Sequence, residues 1–242
     1  MKVGLFVTCL VDGLFPQVGD AMVTLLRRLD VDVDVPLRQT CCGQMHINAG
    51  YGAKALPLIE NQVGAFEGYD AVVAPSASCV GSVRHQYEQI VRQRGDARLL
   101  EKVENLSSRT YELTEFLIDV LGVTDVGAYF PHRVTYHPTC HSLRVLRTGD
   151  RPRRLLEAVE GIDLVPLSDA ESCCGFGGTF AIKNSDVSGA MLADKLDNVR
   201  ASAADVVTAA DSSCLMQIGG GLSRAGDAVR TMHLAQILAS TR

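Results

Sequence analysis

The amino-acid sequence predicts an α/β protein of two duplicated Rossmann-like βαβ repeats with parallel sheets. Three observations lead there. Short β-branched runs alternate with stretches of helical spacing, the pattern of parallel strands joined by crossover helices. The cysteines recur in the same order in both halves. Each cysteine also follows a predicted strand, at the carboxyl edge where open parallel sheets gather ligands.

The first strand is VGLFVTC, ending at Cys9, and Asp20 to Leu29 carry helical spacing. VDVDVPL alternates as a strand and leads to Cys41; a helical stretch from Ala53 to Phe66 follows. DAVVAP is the next strand, its loop carrying Cys79, and VRHQYEQIV is helical. In the second half, RVTYHP precedes Cys140, RRLLEAVE is helical, and IDLVPL precedes Cys173. The helical VSGAMLADKLDNVRA comes next, ADVVTAA precedes Cys214, and VRTMHLAQILA supplies a last strand and helix. Residues 95–128 are charged and less patterned and are read as a helical connector. The expected division is 1–128 and 129–242.

All eight cysteines enter the repeat, as C-x31-CCG-x35-C and then C-x32-CCG-x38-C. Cys140 follows Cys9 by 131 residues, Cys173 and Cys174 follow Cys41 and Cys42 by 132, and Cys214 follows Cys79 by 135. A near-constant offset over four positions indicates internal duplication.

Composition removes several classes. The chain has 242 residues, 47% of them hydrophobic and 21% charged, which suits a folded core. With 23 Lys+Arg against 28 Asp+Glu, a nucleic-acid binder that neutralises phosphates is not expected. Apolar runs are too short for a membrane-spanning helix, and the N-terminus reads as a strand rather than a signal peptide, so a cytoplasmic location is expected. In a reducing compartment, clustered cysteines bind metal or carry out redox chemistry more often than they form disulfides.

Two quartets are therefore the candidate metal ligands: Cys9, Cys41, Cys42 and Cys79, and Cys140, Cys173, Cys174 and Cys214. Structural zinc usually takes C-x2-C pairs, and neither quartet contains one. Adjacent cysteines aim poorly at one small ion but reach different metals of a larger cluster, which favours iron–sulfur, [4Fe–4S] in type, one or two per chain. Zinc in an interaction module stays open on the residues alone. Gly43 and Gly175, each just after a CC pair, suit a positive φ and a close approach of backbone N–H to a cofactor.

These motifs resemble the cysteine-rich CCG domain, shared by the heterodisulfide reductase B subunit, the C subunit of anaerobic glycerol-3-phosphate dehydrogenase and the lactate-utilisation A subunit. YHPTCHSLR (136–144), CCGFGGTFAIK (173–183), DSSCLMQIGG (211–220) and PSASCVG (75–81) are most similar to the lactate-utilisation A group. The resemblance covers nearly the whole chain. It implies an iron–sulfur subunit of a multi-subunit system oxidising L-lactate to pyruvate, partnered by other subunits such as a ferredoxin-like iron–sulfur protein. Fuller family members end each repeat in C-x2-C, where this chain has Ser82 and Gln217. That departure counts against a five-cysteine non-cubane cluster and against the alternative of a heterodisulfide-reductase-like thiol–disulfide enzyme.

His137 and His141 flank Cys140 and are candidate cofactor-binding residues, as hydrogen-bond donors to a cluster sulfur or as ligands in a mixed His/Cys site. A histidine satisfied by backbone is the plain alternative for His137. His46 and His85 read as loop and helix-surface residues, and His233 as a packed one. The basic run Arg144, Arg147, Arg151, Arg153 and Arg154 reads as a solvated loop and helix start, with docking of an acidic partner or a carboxylate as the functional alternative. Lys183 facing an anion is a weaker reading of the same kind. Neither a dinucleotide fingerprint, a phosphate loop nor a nucleophile elbow occurs, so a hydride acceptor is expected on another subunit.

Overall fold

The computed structural model describes residues 1–242, which divide into two compact units, Met1–Phe116 and Leu117–Arg242. Each unit is built on a four-stranded, wholly parallel sheet.

In the first unit the strands are β1 (Lys2–Leu5), β2 (Asp32–Asp34), β3 (Ala71–Ala74) and β4 (Thr110–Glu112), in the spatial order β2-β1-β3-β4. In the second they are β5 (Arg133–Tyr136), β6 (Asp163–Val165), β7 (Val206–Ala209) and β8 (Arg230–His233), in the order β6-β5-β7-β8. The register repeats as well: Val3 pairs with Val33 and Ala71, and Val134 with Leu164 and Val206. The central strands β3 and β7 are buried throughout, as continuous apolar strands covered on both faces should be. In each sheet the connections run in opposite senses from its first strand, which opens a crevice at the carboxyl ends.

The helix Pro16–Arg28 shows how sequence becomes packing. Pro16 starts it, where a missing N–H costs nothing, and Val18, Ala21, Met22, Leu25 and Leu26 are buried at helical spacing. Burial of each Leu contributes about 1.5–3 kcal/mol. Residues 95–128, read as a helical connector, hold the helix Ala97–Ser108 but also β4, which closes the first sheet. β1 ends at Leu5 rather than running to Cys9. Beyond it the Gln39 side chain replaces a neighbouring strand, accepting from Val7 N (2.8 Å) and donating to Leu5 O (3.1 Å).

Candidate metal centre

The repeat places equivalent cysteines on equivalent backbone. β1 ends at Leu5 and a helix opens at Cys9; β5 ends at Tyr136 and helical structure begins at Cys140. Cys79 and Cys214 each occupy the third position of the helix that follows β3 or β7. Ser76 caps the first of these, its Oγ accepting from Cys79 N at 3.2 Å. The vicinal pairs lie in the loops after β2 and β6. Helix starts thus take the single cysteines and loops take the pairs, all at the carboxyl edge.

Within each quartet the sulfurs meet. Cys42 Sγ is 3.4 Å from Cys79 Sγ, and thiol hydrogen bonds link Cys9 to Cys41 and Cys41 to Cys42. In the second unit Cys140 bonds Cys173, Cys173 bonds Cys174, and Cys174 bonds Cys214. Burial runs in a gradient: Cys9 is exposed and Cys140 half-buried, whereas Cys42 and Cys174 are 3% and 2% exposed. Cys174 and Cys214 belong to an apolar core with Leu167, Leu196, Val199, Val207, Ile218 and Leu222.

One sulfur per quartet is held far below the usual thiol range. Hydrogen bonds from Cys42 and Cys9 do this for Cys41, and bonds from Cys140 and Cys174 do it for Cys173. The backbone adds a donor in each case, Gly43 N to Cys41 Sγ and Gly175 N to Cys173 Sγ, both at 3.4 Å. The partners move the other way: Cys9, Cys42, Cys140 and Cys174 are raised, chiefly by their bond to that sulfur and then by burial or a further thiol. Four converging, partly desolvated thiols with aimed N–H donors form a donor set that fits a thiolate-held metal cluster, since negative sulfur is what such N–H groups stabilise.

Both glycines have the expected backbone, with φ of 79° at Gly43 and 86° at Gly175. A Cβ on Gly175 would also lie 2.5 Å from Ser188 O, so the second loop has no room for a side chain there. Around the first pair, Gln62 donates to Thr40 O (2.7 Å), and the buried Tyr87 hydroxyl donates to Cys42 O (2.8 Å). Around the second, Lys195 is fully buried and its Nζ donates to Asp169 O (2.8 Å) and Ala170 O (3.3 Å); Ser188 Oγ donates to Gly175 O (2.8 Å).

His137 and His141 differ in placement. His141 is half-buried, with Nδ1 3.5 Å from Cys140 Sγ. His137 is 1% exposed, neither ring nitrogen has a hydrogen-bond partner of good geometry, and its donor atom and the Cys174 and Cys214 sulfurs all lie within 4.8 Å of one another. Burial, reinforced by Lys195, lowers its pKa from 6.5 to about 4, which leaves a neutral imidazole. The Ala170 backbone, bonding the ring, pulls the pKa the other way and is outweighed.

Lys195 and Gln62 escaped sequence reasoning, because a Lys or Gln on an amphipathic helix reads as solvated until the fold buries it. Ser82 is fully buried with its Oγ unpartnered, while Gln217 donates to Ser188 Oγ at 3.2 Å. The basic run is largely neutralised at the surface: Arg151 pairs with Asp119, Arg153 with Glu157 and Arg154 with Asp150. His233 is buried and caps the last helix by accepting from Ala235 N, as a packed residue should. No helix is long and apolar enough to cross a membrane.

Fold and sulfur geometry together define a duplicated cysteine-rich protein. The cysteine-rich domain family abbreviated CCG matches residues 3–84 and 134–219, one match per repeat. The chain is 46% identical over 238 residues to lactate utilization protein A of Geobacillus thermodenitrificans, covering 98% of each chain. It is 45% identical over 242 residues to the protein of that name from Oceanobacillus iheyensis, covering 100% of this chain and 98% of that one. Lactate utilization protein A 2 of Bacillus cereus (strain 03BB102) is 41% identical over 239 residues, covering 99% and 98%. The chain belongs to the lactate utilization protein A family of cysteine-rich CCG proteins.

Proposed function

We propose that the chain is an iron–sulfur electron-transfer subunit of a multi-protein system that oxidises L-lactate to pyruvate. The supporting observation is the convergence of four thiols in each unit, with one sulfur held as thiolate and a glycine N–H donating to it. In this reading Cys9, Cys41, Cys42 and Cys79 hold one [4Fe–4S] cluster, and Cys140, Cys173, Cys174 and Cys214 a second. A cluster bound there supplies one-electron oxidation and reduction.

The chain's own residues supply the rest. The thiolates fix the iron, Gly43 and Gly175 stabilise negative sulfur, and the apolar core around Cys174 and Cys214 excludes water. Tyr87, Gln62 and Lys195 hold the loop carbonyls that set where the paired cysteines lie. Oxidation of lactate releases two electrons and two protons. With neither a nucleotide fingerprint nor a phosphate loop in this chain, a partner supplies the two-electron acceptor, and a ferredoxin-like iron–sulfur protein is a natural second partner. The relatives' shared name supports the lactate assignment. A cytoplasmic location belongs to the same proposal.

Anaerobic iron and sulfide analysis with electron paramagnetic resonance tests it. Iron and sulfide in equal amounts, with signals that appear on reduction, are expected; a colourless, zinc-loaded protein overturns the cluster assignment. Lactate-dependent reduction of a dye should require the partner proteins. Turnover by the chain alone would instead favour an independent enzyme.

A further inference from the structure

Phe6 and His137 occupy the same place in the two repeats, three residues before the first cysteine of each quartet, between strand end and helix start. Both are 1% exposed. Phe6 is an apolar plug whose ring packs edge-on against Phe66 at 5.7 Å between centroids. His137 fills the equivalent space with two polar nitrogens, beside two sulfurs of its own quartet and with the Ala170 backbone in reach of the ring. Packing alone is served as well by a phenyl ring, so the nitrogens need another explanation. A ring nitrogen that shares a space under 5 Å across with Cys174 and Cys214 sulfurs is placed to meet whatever those sulfurs bind.

We propose that His137 is a nitrogen ligand of the metal in the second site, beside Cys174 and Cys214, whereas the first site offers sulfur alone. The position that carries a fifth cysteine in fuller relatives is closed here by Gln217, whose amide is committed to Ser188. His137 reaches the same quartet from the opposite end of the repeat. Its two nitrogens are then accounted for, one as ligand and the other carrying the ring proton towards the Ala170 backbone. This assignment rests on the quartets binding metal.

The test uses full-length protein prepared without oxygen and labelled with 15N-histidine, read by metal analysis and by electron–nuclear double resonance after reduction. A strong coupling to a directly bound nitrogen is expected in one of two iron centres. It should vanish in His137→Phe, which installs the residue of the first repeat, and in His137→Cys, which replaces nitrogen by sulfur and guards against a misfolded first variant. It should persist in His141→Asn. Iron present with no strong nitrogen coupling, or a coupling that survives both His137 variants, overturns the assignment. Zinc in place of iron sinks the cluster reading instead, and X-ray absorption at zinc then decides: a nitrogen ligand lost in His137→Phe keeps His137, and an all-sulfur shell removes it.

Discussion

The two repeats build the same sulfur pocket on different supports. The helix Gly52–Ala65 steadies the residue before the first CC pair with a neutral amide, Gln62, whereas the helix Ser185–Ala201 uses a buried ammonium, Lys195, on the carbonyls before the second. Phe6 stands where the second repeat has His137. The last strand of the first sheet ends on Glu112, whose carboxylate accepts from Thr114 N and Oγ1; that of the second ends on His233, whose imidazole accepts from Ala235 N. The sheets, register and cysteine positions have been kept, while groups around the sulfurs have changed charge and polarity. The quartet is the shared requirement, and its surroundings are where two otherwise equal sites become different.

The most severe way to break the comparison is to remove one thiol from each half. Cys42→Ser and Cys174→Ser should each remove one cluster, about four irons, and the double variant all of them, as counted by iron and sulfide analysis. Equal iron in all three would mean that the buried cysteines do not ligate. Gly175→Ala and Gly43→Ala should then separate the loops. The first combines a positive φ with a backbone clash and should cost about 3–5 kcal/mol; the second is strained by φ alone, with Ala55 Cβ at 3.3 Å, and should cost about 1–2 kcal/mol. Thermal or denaturant unfolding reads the difference, and equal costs would show that the second loop relaxes.

A pH titration sharpens the contrast further. In metal-free protein His137 has its folded pKa lowered from 6.5 to about 4, so the unfolded chain binds its proton first as pH falls. Stability from the neutral ring is complete above about pH 6.5 and declines towards about pH 4, by up to about 3 kcal/mol in total. His137→Phe should flatten this slope in denaturant unfolding followed across that range. The smallest effect belongs to the first repeat alone. Arg84 Nη1 bonds both Glu115 oxygens at 3.0 and 2.9 Å, and Arg84→Met should cost about 1 kcal/mol; the second repeat caps the same place with the neutral Gln236. A loss that does not shrink at high salt would argue for packing rather than charge.

Much of this architecture was legible in the sequence because duplication writes each feature twice. The cysteine offsets gave the repeat, and alternation of β-branched runs with helical spacing gave seven of the eight strands. β4 was not legible: TYE is three residues long, its apolar face is a single tyrosine, and only pairing with β3 makes it a strand. Half of the cysteines lie in the first turn of a helix rather than in a loop, since in the first repeat the extended residues Thr8 and Ser76 are N-caps and the helices open directly after them. The positive φ of both CCG glycines followed from their position beside the paired thiols. The burial of Lys195 did not, because nothing in VSGAMLADKLDNVRA separates a lysine turned inward from its solvated neighbours. His137 lay between the two cases. Its neighbourhood to Cys140 could be read off the chain, but its place beside the Cys174 and Cys214 sulfurs is a property of the packed fold.

The gradient of burial along each quartet gives the pocket a front and a back. Cys9 stands at the solvent end of the first quartet, Cys140 and Cys173 share that end of the second, and Cys42 and Cys174 lie at the closed one. An assembly scaffold delivering inorganic cargo must therefore hand it over from the Cys9 end of the first pocket and from the side of Cys140 and Cys173 in the second. Dissolved oxygen arrives by that same door, so in metal-free protein air damage should begin as sulfenic acid on the half-buried thiolates Cys41 and Cys173 while the innermost pair is still intact.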